Sequence, residues 1–173
     1  MKVTANSIKA SVAAYWRYGK QYPFVALEAN CQLKAWNDGG QADVLAITKD
    51  RYLIEVEVKL SMADLQRDKN KVKHRNFRDG LIKYPTRLFY FAVPKELANK
   101  VSVLCDNRYP YAGVLGSNGL GEDDVEVYRK PRPLWGTKLT FSQILRMVRE
   151  QSATVCRLAR KLADINKKTT TNV

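Results

Sequence analysis

At 173 residues, with 45% hydrophobic and 10% aromatic content, the chain can bury a real core and is too apolar to be disordered. Its formal charge of +13 suits either a polyanionic partner or a generally basic, soluble surface, and one His in the whole chain argues against a His-based zinc site or a Ser-His-Asp triad. No apolar run approaches the roughly 18 residues of a membrane span, and Met1-Lys2-Val3-Thr4-Ala5-Asn6 lacks a signal-peptide core, so no membrane partner is expected. The three cysteines, Cys31, Cys105 and Cys156, are far apart without a Cys-x-x-Cys, and read as reduced packing residues of a cytoplasmic protein.

In chain order, Asn6 or Ser7 caps a first helix running to about Tyr18, with Ile8, Val12 and Tyr15 or Trp16 on one stripe. Pro23 ends that region, and Phe24 to Asn30 reads as a strand. Trp36-Asn37-Asp38-Gly39-Gly40 is a turn, followed by strands at Gln41 to Ile47 and Tyr52 to Leu60. Ser61, with Asp64 three residues on, caps a helix through about Phe77. Leu88 to Pro94 is a fourth strand and Glu96 to Val101 a short helix. Short strands at Ala112 to Leu115 and Val125 to Arg129 flank a glycine-rich loop, residues 116–121, expected to be mobile.

The third strand carries the chemistry. Leu53, Glu55, Glu57 and Lys59 alternate onto one face, and Ile54, Val56, Val58 and Leu60 onto the other. Charges amid Val, Ile and Leu are costly to bury unpaired, so they mark either a solvated edge strand or a site. A hairpin turn centred on Asp50 would make opposed residue numbers sum to 100, setting Asp43 against Glu57 with Cβ atoms roughly 4.5–5.5 Å apart. Two opposed carboxylates repel unless a divalent cation bridges them, and hard oxygen donors suit Mg²⁺ or Mn²⁺.

Charge is distributed around this point. Residues 1–60 carry 8 basic and 6 acidic groups, residues 61–100 carry 10 and 4, residues 101–133 carry 4 and 5, and residues 134–173 carry 8 and 2. On the helix after the site, Arg67, Lys71, His74 and Arg78 recur at spacings of four, three and four, a stripe suited to a phosphate backbone or simply to solvent.

The order helix, three strands, helix, strand, with Asp43 on the second strand and Glu57-Val58-Lys59 on the third, resembles the PD-(D/E)XK nuclease superfamily. From about Phe24 to Pro133 the chain is similar, within it, to the MmcB-like DNA repair family. The carrying residues are Ala42 to Ala46, Glu57 to Asp68, Phe89 to Pro94, Ala112 to Leu115 and Glu126 to Pro131. The resemblance implies an α/β fold with a restriction-endonuclease-like core (αβββαβ), a central mixed sheet flanked by helices and a C-terminal basic helix. It implies a Mg²⁺-dependent (or Mn²⁺-dependent) endonuclease acting on DNA, of repair, recombination or mobile-element type. Asp43 and Glu57 would be metal ligands with the Val58 carbonyl, Glu28 would complete the shell, and Lys59 would orient the attacking water or else form a salt bridge to Glu57 or Glu55. Glu55 could replace Glu28. Gln66 would lie near Lys59, beside Arg67, Lys71, His74 and Arg78 as nucleic-acid contacts. The alternative is an inactive nucleic-acid-binding module of the same fold.

The expected domains are residues 1–138 and a basic extension, 139–173. In the extension Phe141, Ile144, Val148, Gln151, Val155, Leu158, Leu162 and Ile165 are spaced 3-4-3-4-3-4-3. Such a helix either packs back on the domain or forms a homodimer seam. Lys167 to Val173 reads as a disordered tail.

Overall fold

The computed structural model describes residues 2–30, 41–68, 71–79 and 85–170; side chains 30 and 165–170 are not described. The turn expected at Trp36 to Gly40, together with Cys31, lies outside these residues. The chain divides into two units, Met1–Leu139 and Thr140–Val173.

The first unit is an α/β structure around one six-stranded mixed sheet. Its strands are β1 (Phe24–Asn30), β2 (Gln41–Ile47), β3 (Leu53–Val58), β4 (Thr86–Val93), β5 (Gly113–Gly116) and β6 (Glu126–Arg129), in that spatial order. The pairs β1–β2, β2–β3 and β5–β6 are antiparallel, while β3–β4 and β4–β5 are parallel. Parallel neighbours need crossovers, supplied by α2 (Met62–Arg67) with α3 (Val72–Asp79), and by α4 (Lys95–Arg108).

Helix α1 (Ala5–Ala14) covers one face. Its Ile8 and Val12, with Trp16, pack on Val44, Ala46, Ile54, Val56, Tyr90, Ala92 and Leu115. The other face carries Phe89, Phe91 and Val114 against Leu65, Phe77, Ala98, Val101 and Cys105 of the crossover helices. The alternation of β4 residues between the two clusters is the period-2 pattern of a strand buried on both sides.

Several boundaries differ from expectation for local reasons. The cap of α1 is Thr4, whose hydroxyl accepts from Ser7 N at 3.1 Å while Ser7 Oγ accepts from Thr4 N at 3.0 Å. The helix widens into a π-helical turn at Tyr15–Gly19, where Trp16 stacks on Tyr22 at 5.5 Å. Helix α4 is 14 residues, longer than Glu96 to Val101, because Ala98, Val101 and Cys105 extend one apolar stripe. The loop after β5 is braced, not free. Asp124 Oδ2 accepts from Ser117 Oγ at 2.8 Å and from the N–H of Asn118 and Leu120, and Gly121 N donates to Ser11 Oγ at 2.9 Å.

The expected helix from Ser61 to Phe77 is two helices. Ser61 does cap α2, accepting from Asp64 N at 3.2 Å, but the chain leaves α2 at Asp68, whose carboxylate is buried. The C-terminal unit is helix α5 (Phe141–Thr170), so the backbone expected to be disordered from Lys167 is helical through Thr170. Phe141, Val148, Val155, Leu158 and Leu162 on its seam are exposed.

Candidate functional site: a buried ionic network at the end of β3

The β2–β3 register follows the turn. Val44 faces Val56, Leu45 faces Glu55, Ala46 faces Ile54 and Ile47 faces Leu53, all summing to 100. Thr48 N also donates to Tyr52 O at 2.9 Å. The β1–β2 pairs, from Phe24–Ile47 to Asn30–Gln41, sum to 71 on both sides of Glu28. Continuing both registers puts Glu28, Asp43 and Glu57 on one cross-strand row.

At that row the ladder is replaced by side-chain bonds. Asp43 Oδ2 accepts the backbone N–H of Val58 at 2.6 Å, directly between Glu57 and Lys59. Glu28 sits at φ +50°, a left-handed conformation uncommon for a non-glycine residue. Its carbonyl accepts from Gln41 Nε2 at 3.0 Å, and its carboxylate from the same group at 3.1 Å. Lys9, reaching from α1, bonds both Glu28 and Asp43 Oδ1, the latter at 2.9 Å. Burial works against the Lys9 charge, but the two carboxylates prevail and raise its pKa.

Glu57 belongs to a second ionic set. β3 lies inside the sheet between β2 and β4, so its charges are not those of a solvated edge. Glu55 is wholly inaccessible, and Glu57, Lys59, Asp68, Lys73 and His74 are all under a tenth exposed. Lys73 bonds Glu55 Oε1 at 2.8 Å and Glu57 Oε1. Glu57 Oε2 meets Lys71 at 3.2 Å and Lys59 at 3.4 Å. Asp68 Oδ1 takes Lys59 at 2.9 Å and Lys71 at 2.7 Å. Thr86 Oγ1 donates to Glu55 Oε2 at 2.9 Å.

Burial alone would favour neutral forms here, yet the ions compensate one another. Desolvation pushes Glu57 up, and Lys73, Lys71 and Lys59 together bring it below the usual carboxylate range. Desolvation likewise opposes Asp68 ionisation, but His74, Lys71 and Lys59 hold its pKa well below normal. For Lys73 burial is outweighed by Glu55 and Glu57, so its ammonium is held far more strongly than usual.

His74 is different. Burial lowers its pKa more than Asp68 raises it, because Phe77, Phe89, Phe91 and Tyr109 ring it. Ionised Asp68 can only accept, so His74 Nε2, at 3.1 Å from Asp68 Oδ2, carries the proton. Nδ1 then accepts from the Tyr111 hydroxyl at 2.8 Å. Three carboxylates and three ammonium groups therefore balance around a neutral imidazole.

No protein-family profile matches the chain, and no curated protein does. A solved structure does: a protein of unknown function from Silicibacter pomeroyi, 17% identical, with a TM-score of 0.59 over 94% of this chain and 92% of that one. At that identity the likeness speaks to the fold alone.

The residues expected from sequence fall into three groups. Asp43, Val58 and Lys59 meet at one end of the β2–β3 pair, with Glu57 alongside and Glu28 joined to Asp43 through Lys9. Gln66, Arg67, Lys71 and Arg78 are exposed, but the break between α2 and α3 means they share no single helical stripe. His74 is 3% exposed with both ring nitrogens engaged, so it does not join a basic surface. The partner of Lys59 on the helix side is Asp68, where Gln66 was expected; Gln66 points into solvent. Sequence reading also missed Lys9, Lys73, Thr86 and Tyr111. The available signal was Asp68 and Lys73 standing in segments that also carry Leu65 and Phe77 on the core-facing side.

Among the described residues no three His, Cys, Asp or Glu side chains are grouped closely enough to hold a metal ion together. Among them, too, no helix is long and apolar enough to cross a membrane. Cys105 is a buried free thiol pushed up to about 12 by desolvation, and Cys156 is free and exposed.

Proposed function

We propose that the protein is a metal-dependent nuclease hydrolysing DNA phosphodiester bonds, with Asp43, Glu57 and Lys59 as its catalytic residues. In this reading α1, β1–β3, α2–α3 and β4 form a restriction-endonuclease-like core of the PD-(D/E)XK type, nearest the MmcB-like family. The supporting observation is the 2.6 Å bond from Val58 N to Asp43 Oδ2, which joins the strand aspartate to the centre of Glu57-Val58-Lys59.

The donor set fits a hard divalent cation. Mg²⁺ usually keeps several waters and takes one or two carboxylates, so Asp43, Glu57 and the Val58 carbonyl suffice without a third acid. Glu28, joined to Asp43 by the shared Lys9, is the nearest supplement. Ammonium groups of Lys9, Lys59, Lys71 and Lys73 already hold these oxygens, so a cation would have to displace some of them, Lys71 being the most exposed at 44%. When bound, Mg²⁺ or Mn²⁺ would acidify a water and stabilise charge building on the phosphoryl oxygens.

The chain's own groups supply positioning. Lys59 is gripped between Glu57 and Asp68, so its ammonium is held in one place without rotamer freedom. Lys71, at the rim, would have to exchange its Glu57 and Asp68 contacts to follow a scissile phosphate. Arg67 and Arg78, both exposed, would add attraction for the backbone.

A second reading has its own observation: both Glu57 oxygens already hold ammonium groups, as a permanently metal-free binding module would arrange them. One assay separates the two. Plasmid and branched DNA are incubated with Mg²⁺ or Mn²⁺, using wild type, Asp43→Ala and Lys59→Ala. Cleavage that both variants lose while still binding DNA supports the nuclease. Salt-sensitive binding with no cleavage by any form supports the module.

The proposal includes a homodimer through α5. The heptad spacing puts Arg146, Arg149, Arg157 and Arg160 off the seam, with Ser152, Thr154, Ala159 and Lys161 among the positions beside it, so most of the basic charge would stay clear of a partner helix. Sedimentation of wild type against Leu158→Glu checks this; a monomer in both cases removes the seam.

A further inference from the structure

Trp135 is 74% exposed, in a chain whose Trp16 is buried. A large exposed aromatic is informative when its backbone is fixed, because it is then presented and not merely loose. The segment from Lys130 to Leu139 has no regular secondary structure, yet it is tied down along its length. Arg132 N donates to Tyr111 O at 3.0 Å, Leu134 N to Arg87 O at 2.8 Å, and Leu139 N to Arg51 O at 2.9 Å. Arg87 Nη1 returns a bond to Leu134 O at 2.6 Å. Pro131 and Pro133 fix their own φ angles, and Gly136 is pressed so close to the Thr86 carbonyl that a Cβ would collide with it.

Arg132 and Lys138 are exposed on either side of Trp135 in sequence. Lys138 and Arg87 both lie over the Tyr52 ring, at 5.6 and 5.5 Å, which gathers strap, β3 and β4 into one basic and aromatic surface. Exposed Arg51 is tied to Leu139 at its edge, with Asp50 beside it as the one local acid in sequence.

We infer that this strap is a docking platform for single-stranded nucleic acid, with Trp135 stacking on an unpaired base and Arg132 and Lys138 taking the flanking phosphates. Stacking on a rigid aromatic within a basic groove is how strands are held without sequence preference, since every base offers a π-face. Duplex bases are already stacked and cannot use the ring. The inference names a substrate feature for the nucleic-acid part of the proposed function and does not depend on cleavage. The strap also touches the proposed site's network: Thr86, under Gly136, bonds Glu55.

The test is direct binding in EDTA, so that it is blind to hydrolysis. Labelled oligothymidylate, oligouridylate and a DNA duplex are titrated by anisotropy against wild type, Trp135→Ala and Trp135→Phe. Trp135→Ala is expected to weaken single-strand binding about five- to a hundredfold, with Trp135→Phe between it and wild type. Duplex binding is expected to change less than about twofold, since phosphate contacts carry it. The two single strands decide whether the platform prefers DNA or RNA. Unchanged single-strand affinity in Trp135→Ala, equal losses on strand and duplex, or no strand binding by wild type would each overturn the inference. Cleavage failing while this selective loss persists would remove the nuclease and leave the platform.

Discussion

Lys59 Nζ lies 2.9 Å from Asp68 Oδ1, and Asp68 turns its other oxygen to His74 at 3.1 Å. The lysine of the strand motif is thus anchored from the crossover helices, not only from its own strand. Removing Asp68 leaves Lys59 and Lys71 without their strongest shared partner in a desolvated setting. Asp68→Ala is expected to destabilise the fold by about 3–5 kcal/mol, the range for breaking a buried ion pair. Urea unfolding measures it; a loss of a few tenths would mean the network is wetter than its burial indicates.

Acid should weaken the protein in two stages. His74 has its pKa lowered from 6.5 by burial, so the unfolded chain takes up its proton first and stability falls as pH drops below about 6.5. Glu57 and Asp68 are held below 4.5 and 3.8, so their contribution is present above those values and is lost as pH falls further. On the alkaline side Lys71 and Lys73 are raised above 10.5, and their contribution is full below that value and lost above it. Thermal midpoints across pH should show a plateau between roughly 6.5 and 9, above which the buried Cys105 thiol ionises in the unfolded chain first, and His74→Gln should flatten the first acid step. A curve level from pH 7 to 5 in wild type would contradict the buried neutral imidazole.

Lys9 holds Glu28 and Asp43 together with a single positive charge. Lys9→Met leaves both carboxylates facing each other, so uptake of Mg²⁺ by calorimetry should tighten by about fivefold or more, the scale of one removed charge near the surface. Weaker or unaltered uptake in the variant would place any ion elsewhere.

Gly136 admits no side chain against the Thr86 carbonyl. Gly136→Ala should lower stability by about 1–3 kcal/mol through overpacking, and should lift the strap that carries Trp135. A variant as stable as wild type, with single-strand affinity intact, would show that the strap tolerates displacement.

Much of the sheet was readable in the residues. The alternation of Leu53, Glu55 and Glu57 with Ile54, Val56 and Val58, together with the polar break at Asp50, determined the β2–β3 register, because a slip of one position would turn every side chain to the other face. The capping of α2 by Ser61 was equally local. So was the position of Asp43 beside Glu57-Val58-Lys59, since both lie on one hairpin.

The surroundings of that triad were decided by tertiary structure. A helical reading of Ser61 to Phe77 places His74 with Arg67, Lys71 and Arg78, but α2 ends at Arg67 and a separate helix begins at Val72. It drives His74 and Lys73 inward among Phe77, Phe89 and Phe91. Nothing in the spacing of polar residues distinguishes a charge facing water from one facing an opposite charge indoors. The distinction arises only when distant segments, Lys9 on α1, Thr86 on β4 and Tyr111 before β5, arrive to satisfy it. Local pattern chose the strands and their register because those depend on neighbours along the chain and across one turn. The pairing of buried ions depends on contacts closed over long loops, which no short window of sequence contains.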